Sequence, residues 1–440
     1  RKKLRKLVQS GKLFIGPWYI LPDEFLVSAE THVRNLLLGY RFCQDFGERM
    51  EVGYLPDSFG HIAQMPQILQ KAGIRYATFW RGVPDSVATS EFFWEAPDGS
   101  RVLALYMPFG YGIAANLPRE REKLRGRIER LLGQLTPFAR TKHLLFTNGS
   151  DHIEPDPDLP VKLDILRDLF PDHQILHSHF PALFREIERE APELPSFRGE
   201  WRADDRNYLL GGTLSTRVYL KQEHAFLSHT LEGHLEPLFS VLSCLGRPYP
   251  EDFLRYLWKS LLLNSPHDSI CGCSIDEVHE EMMIRYRKMR DVTGKLLQPS
   301  FAFQNLTSTS YGDTLVIFNP HPYPFSGYLE GDLYLQRKKI REVDFEVSKI
   351  REFPPEAEDF LPGIALISSG ETVVPEILAQ EEVALFETPA HTLPEVFQAK
   401  RYRVGFVVCN LPPLGFRLYR VEVSHRRETV KPPEVFLQEN

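Results

Sequence analysis

At 440 residues, 42% hydrophobic and 25% charged, the chain has the composition of an ordinary globular protein long enough for two or three domains. Its net charge of −7, with no basic stripe to offset it, excludes a general nucleic-acid binder. No apolar run approaches the roughly 18 residues that a membrane-spanning helix needs.

The five cysteines, Cys43, Cys244, Cys271, Cys273 and Cys409, are odd in number and scattered, so a disulfide framework is not expected. Cys271-Gly272-Cys273 lacks the second pair that a zinc knuckle requires. No signal peptide is seen, and the thiols read as the reduced thiols of a cytoplasmic protein. The chain has no initiator Met, so an internal fragment is expected.

Arg1-Lys2-Lys3-Leu4-Arg5-Lys6-Leu7 reads as an exposed helical turn or two. Residues 13–21 read as a strand ending at Pro22-Asp23-Glu24, and 28–39 as a helix. Residues 50–55 form an apolar strand that Pro56 stops. Asp57 stands just past it, and an amphipathic helix follows over 62–72. Residues 75–80 are strand-like. The stretches 92–95 and 102–107 read as a hairpin around Asp98-Gly99. Helices are expected over 119–135, 159–169 and 181–190, and strands over 143–147 and 173–177. This alternation is the pattern of a parallel sheet covered by helices.

Asp57, Arg81, Tyr111 and Asp151 each fall at or after the end of a separate expected strand. In a parallel sheet those ends share one edge, so the four side chains can meet in one cleft. Taken singly, Asp57 reads more readily as a helix N-cap and Asp151 as a turn former.

Residues 191–213 form a Pro- and Gly-marked connection. The stretches 214–245, 251–264 and 274–297 then read as three long helices, which suggests a bundle. His224, His229 and His234 recur at fives, share no helix face, and read as surface or packing residues. Beyond residue 300, short strands at 314–320, 331–335, 343–350, 383–388, 402–409 and 416–423 suggest an all-β sandwich domain that is cut short. The expected domains are 1–195, 196–300 and 301–440.

Gly53-Tyr54-Leu55-Pro56-Asp57-Ser58-Phe59-Gly60-His61 resembles the nucleophile motif of the retaining α-mannosidases of glycoside hydrolase family 38. Further landmarks follow the same order along the family: Gly16 to Glu24, Phe79-Trp80-Arg81-Gly82, Asn148-Gly149-Ser150-Asp151-His152 and Pro266-His267-Asp268-Ser269-Ile270. The wording is similar to the bacterial branch, which includes mannosylglycerate hydrolases. The resemblance implies a multidomain α/β + α + β chain: an incomplete (β/α)7-barrel-like domain, a three-helix bundle and the start of an all-β sandwich.

It also implies roles. Asp57 matches the nucleophile and Asp151 the acid/base, two carboxyl groups that retention places roughly 5–5.5 Å apart. Arg81, Tyr111 and Asp268 match sugar-contacting residues. One Zn2+ is implied, with Asp57 and His267 as two of its four ligands. The other two belong to an early His-x-Asp motif absent from these residues. The implied substrate is an α-mannoside or oligosaccharide, with no nucleic-acid or membrane partner. Full-length members often form homo-oligomers, but no interface is specified here. Alternatives are a mannosylglycerate or phospho-mannosylglycerate hydrolase and, from another class, a non-catalytic carbohydrate-binding or scaffold protein. Leu210 stands where animal members carry a Trp ahead of Ser-Arg, a departure in the leaving-group contacts.

Overall fold

The apolar lead into Pro56 forms strand β1 (Val52–Leu55), at the edge of a five-stranded sheet. The computed structural model describes residues 1–190, 193–298, 302, 314–339, 363–387, 393 and 395–424. Strands β2 (Tyr76–Phe79), β3 (Glu91–Glu95), β4 (Arg101–Tyr106) and β5 (Ser196–Arg198) complete the sheet in the order β1-β2-β4-β3-β5. β1, β2 and β4 run parallel, but β3 is antiparallel to β4, and β5 is parallel to β3.

The sheet is therefore mixed, not the parallel sheet expected. The cause is the turn between β3 and β4. Ala96 N–H donates to Ser100 O at 2.8 Å, and Ser100 N–H to Asp98 Oδ1 at 2.9 Å. A link this short returns the chain antiparallel, whereas a parallel neighbour needs a crossover of about a dozen residues.

Three expected strands do not form. In 13–21, side chains replace the ladder: Asn35 Oδ1 accepts from Tyr19 N–H at 2.8 Å and Ile20 N–H at 3.0 Å, while Asn35 Nδ2 donates to Ile20 O at 3.0 Å. Residues 143–147 lie against β4 but form no strand. Thr147 O instead accepts from Ala114 N–H, and Thr147 Oγ1 donates to Gly110 O. In 173–177 the Ile175 carbonyl is taken by Arg167 Nε.

The helices follow their apolar periodicity. They are α1 (Lys2–Gln9), α2 (Ala29–Gln44), α3 (Met65–Lys71), α4 (Arg121–Leu135), α5 (Leu159–Leu169) and α6 (Phe180–Glu190). Ser28 Oγ caps α2 by accepting from Thr31 N–H at 3.0 Å. Alternate strand residues serve opposite faces of the sheet. Met65 and Leu69 of α3 bury one face against Leu55, Phe79, Ala104 and Tyr106. Phe184 and Ile187 of α6 bury the other against Val52, Tyr76, Leu103 and Leu105. Leu124, Ile128 and Leu131 of α4 meet Leu166 of α5 in a separate cluster.

The chain divides into two units, Arg1–Leu231 with Glu251–Gly294, and Glu232–Pro250 with Lys295–Asn440. The expected 214–245 helix is α7 (Val218–Thr230), a π-helical turn over Leu231–Leu235, and α8 (Glu236–Cys244). Then come α9 (Glu251–Leu263), the four-residue α10 (His267–Ile270) and α11 (Asp276–Leu297).

In the second unit, β7 (Phe325–Lys339), β10 (Glu376–Glu387) and β11 (Glu395–Leu411) form one antiparallel sheet. β6 (Thr314–Asn319), β8 (Gly363–Ser368), β9 (Glu371–Val373) and β12 (Gly415–Ser424) form another. Leu333 and Val404 from the first sheet and Leu366 and Tyr419 from the second share one buried cluster. The expected strand at 343–350 lies outside the described residues. Among the described residues, no helix is long and apolar enough to cross a membrane.

His224 of α7 is a packing residue, buried beside Tyr286 of α11 with Nδ1 3.2 Å from the hydroxyl. Burial lowers its pKa from 6.5 to about 4. Between those values the unfolded chain binds the extra proton, so stability falls as pH drops through that window, by up to about 1.4 kcal/mol per pH unit. His224→Gln removes this term. The stability gap between wild type and variant, measured by urea unfolding, should narrow from about pH 7 to about pH 5.

Candidate active site

β1 and β2 end in register, Leu55 opposite Phe79, and two residues beyond each end stand Asp57 and Arg81. Arg81 Nε donates to Asp57 Oδ1 at 2.6 Å. The guanidinium lies 4.1 Å from the centre of the Trp80 ring, and its Nη1 donates to Tyr208 O. The other carboxylate oxygen of Asp57 faces His267, whose Nε2 is 3.6 Å from Oδ2 and 3.8 Å from Asp268 Oδ2. The Phe59 ring meets the His267 ring edge-on at 5.4 Å.

Burial opposes the Asp57 charge, but His267 and Arg81 outweigh it and hold the carboxyl below its usual range. Burial likewise opposes the His267 imidazolium, and Asp57 and Asp268 raise its pKa in spite of it.

Asp151 is exposed, and Tyr111 Oη donates to its Oδ2 at 2.8 Å. The Tyr111 ring meets Trp80 edge-on at 6.0 Å, which links this pair to Arg81. Burial, the hydrogen bond to Asp151 and the Asp57 charge push the Tyr111 phenol up. Burial, Asp57 and Asp151 push Tyr54 up to about 12. Both carboxylates therefore act on the same two tyrosines.

The two loops that carry Asp57 and His267 are held by a third segment, Pro22-Asp23-Glu24, which sequence reasoning treated only as a landmark. Asp23 N–H donates to Ser265 O at 3.0 Å, forming an antiparallel bridge between Pro22 and Pro266. The Cys271 thiol donates to Asp23 Oδ2 at 3.4 Å. Ser58 Oγ donates to Pro22 O at 3.2 Å. Glu24, fully buried, takes Ile62 N–H on Oε2 at 3.0 Å and faces His61 Nδ1 on Oε1 at 2.6 Å. On the far side of α10, Lys221 Nζ donates to Ile270 O at 2.9 Å and Cys271 O at 3.3 Å.

Residues 1–200 match the glycosyl hydrolases family 38 N-terminal domain, and residues 209–303 the alpha mannosidase middle domain. The chain belongs to glycoside hydrolase family 38. A "Putative mannosylglycerate hydrolase" from Halalkalibacterium halodurans is 41% identical over 65% of this chain and 34% of its own length. Alpha-mannosidase 2C1 from Mus musculus is 32% identical over 66% of this chain and 27% of its own. The crystal structure of an alpha-mannosidase from Enterococcus faecalis superposes with a TM-score of 0.87 at 32% identity, covering 96% of this chain and 49% of that one. The chain thus spans about a third of the length of the curated relatives it matches.

Family 38 uses zinc generally. Two ligands about 2.1 Å from a tetrahedral zinc lie about 3.4 Å apart. The 3.6 Å between Asp57 Oδ2 and His267 Nε2 fits two such ligands. Among the described residues, no group of three or more His, Cys, Asp or Glu is placed to hold a metal.

Trp201 bonds to the chain just beyond Asp57. Its backbone pairs with His61, each N–H donating to the other's carbonyl at 2.9 Å, and Ala203 N–H donates to Gly82 O at 2.8 Å. Gly82 has φ +82, and a Cβ there would collide with the Trp201 carbonyl. Gly82→Ala should cost about 1–3 kcal/mol in urea unfolding. Gly133→Ala, in open space on α4, should instead be neutral or slightly stabilising.

Proposed function

We propose that the protein of which this chain is part is a retaining α-mannosidase. The observation that carries this reading is the divided Asp57 carboxylate. Arg81 takes one oxygen and His267 faces the other, so the group stays ionised, while the exposed Asp151 is near enough to act with it on Tyr54 and Tyr111.

Asp57 attacks the anomeric carbon of a terminal mannose. The bond to the leaving oxygen breaks as Asp151 gives that oxygen a proton. Tyr111 already donates to Asp151 Oδ2, which leaves Oδ1 as the proton-carrying atom. In the second half, Asp151 takes a proton from water, the water oxygen bonds to the anomeric carbon, and Asp57 leaves as carboxylate. Arg81 and Asp268 contact the sugar. Asp57 and His267 would hold two corners of a zinc site. When bound, the ion would draw the sugar hydroxyls towards the nucleophile and favour its charge.

The five cysteines are free thiols, which supports a reducing, cytoplasmic setting. A second reading, hydrolysis of a mannoside whose leaving group is an acid such as glycerate, is favoured by the cleft beside Asp151, which Lys123, Arg127 and Arg130 of α4 also line.

Asp57→Asn in the full-length protein should lower kcat on 4-nitrophenyl α-mannoside by about 10⁴-fold or more. Asp151→Asn should slow alkyl mannosides by roughly 10²–10⁴-fold and spare the activated nitrophenyl substrate. Proton NMR of the first-formed sugar should show the α-anomer. Initial release of the β-anomer would overturn the double displacement.

A further inference from the structure

His267 and Asp268 sit on α10, a single helical turn between Pro266 and Cys271. One turn does not hold its own shape in water, so its neighbours must set it. Successive residues of a helix point about 100° apart, so only a narrow range of rotations brings both side chains to one place. Here His267 Nε2 lies 3.6 Å from Asp57 Oδ2 and 3.8 Å from Asp268 Oδ2.

The N-terminal end of the turn is pinned by the bridge between Pro22 and Pro266. Within the turn, Pro266 O accepts from the Ser269 and Ile270 amides at 2.9 Å, and His267 O from the Cys271 amide at 3.1 Å. Ile270 O and Cys271 O lie at the other end, where a helix leaves its carbonyls without internal partners. One side chain takes both. Lys221 of α7 donates to them at 2.9 and 3.3 Å, and its remaining bond goes to Thr216 O. An ammonium has three protons, and carbonyls here accept all three.

Arg217, one turn before Lys221, holds the next residue. Its Nε donates to Gly272 O at 3.2 Å and its Nη2 to Asp276 Oδ1 at 2.6 Å. Its backbone has φ +47, in the left-handed region that a residue with a side chain rarely adopts. The entry of α7 is thus shaped around the exit of α10.

We infer that Lys221 is a positioning residue for the reaction, its ammonium fixing the rotation of α10 and with it the places of His267 and Asp268. The inference rests on the roles proposed above for Asp57, His267 and Asp268. Two pins define the direction of one turn. With the Pro22 bridge alone, the turn can swing about its N-terminal end. An apolar side chain at 221 would leave the carbonyls of two buried residues, Ile270 and Cys271, without their donor, and the turn must move to satisfy them. A shift of about 1 Å at a group of the site costs up to about 100-fold in rate.

The test uses the full-length protein. Lys221→Met should lower kcat/KM on 4-nitrophenyl α-mannoside roughly 10- to 100-fold. Lys221→Arg keeps the charge and the donors and should recover part of that loss. With histidines isotope-labelled at Cε1, NMR should show the His267 signal, assigned through His267→Gln, displaced in Lys221→Met and the His224 signal unmoved. His224 lies on α7 one turn beyond Lys221 and packs against Tyr286, so its unmoved signal shows that the helix is intact. If Lys221→Met fails to fold, Arg217→Gln loosens the same turn from its other flank and should give a smaller fall with the same displacement.

Unchanged rates in the folded variant, a His267 signal that stays in place, or no recovery in Lys221→Arg overturns the positioning role and leaves the mannosidase reading standing. Joint displacement of His224 and His267 does the same, since it marks Lys221 as a residue of general stability. No hydrolysis of any mannoside by wild type overturns the mannosidase reading, while the two histidine signals still decide whether Lys221 sets α10.

Discussion

The site depends on a carboxylate that meets no water. Glu24 is buried completely, and its two oxygens are divided between the His61 imidazole and the Ile62 amide. A buried acid this well satisfied is worth little as net stability, but removing one partner strands the other, at a cost of about 3–5 kcal/mol. The turn after Asp57 therefore has one position. The neighbouring Asp23 takes the Cys271 thiol and bonds through its amide to Ser265, which gives the His267 loop its position as well. Three adjacent residues thus set two loops against each other, and the 3.6 Å between Asp57 and His267 follows from them.

The electrostatics of the cleft are built outward from that frame. Arg81 is the counter-charge to Asp57 and is itself held over Trp80 and by the Tyr208 carbonyl. Trp80 also meets Tyr111, which donates to Asp151. The two acids proposed for catalysis thus belong to one chain of contacts but have different surroundings. Asp57 is half-buried between cations, and Asp151 is exposed with a single phenol donor. Unequal surroundings are what let two like carboxyl groups take opposite parts in one reaction.

Much of this was legible in the residues. The run before Pro56, the Asp98-Gly99 hairpin and the 159–169 helix are encoded locally, and each forms where its pattern says. Asp57 and Arg81 meet because their strands pair in register, which strand-end reasoning anticipates. Residues 13–21 were misread because Asn35, on a helix downstream, supplies the hydrogen bonds a neighbouring strand would have supplied. Asp151 follows no strand, yet Tyr111 still reaches it, so that part of the edge argument arrived at a contact by a faulty route. The basic residues Lys123, Arg127 and Arg130 recur along α4 at i, i+4 and i+7. Sequence does not tell which of the helix's cations are tied down, as Arg125 is to Glu122 and Glu129.

The bond between Asp23 and Cys271 joins residues 248 apart in sequence. Contacts of such separation form late, because the intervening chain must lose its freedom before they repay it. During synthesis the Glu24–His61 pair, 37 residues apart, can close long before α10 has been made. The Asp57 loop is therefore shaped first and waits for its histidine. Until then Asp57 has Arg81 beside it and lacks only His267, and the last event to complete the cleft is the arrival of one helical turn.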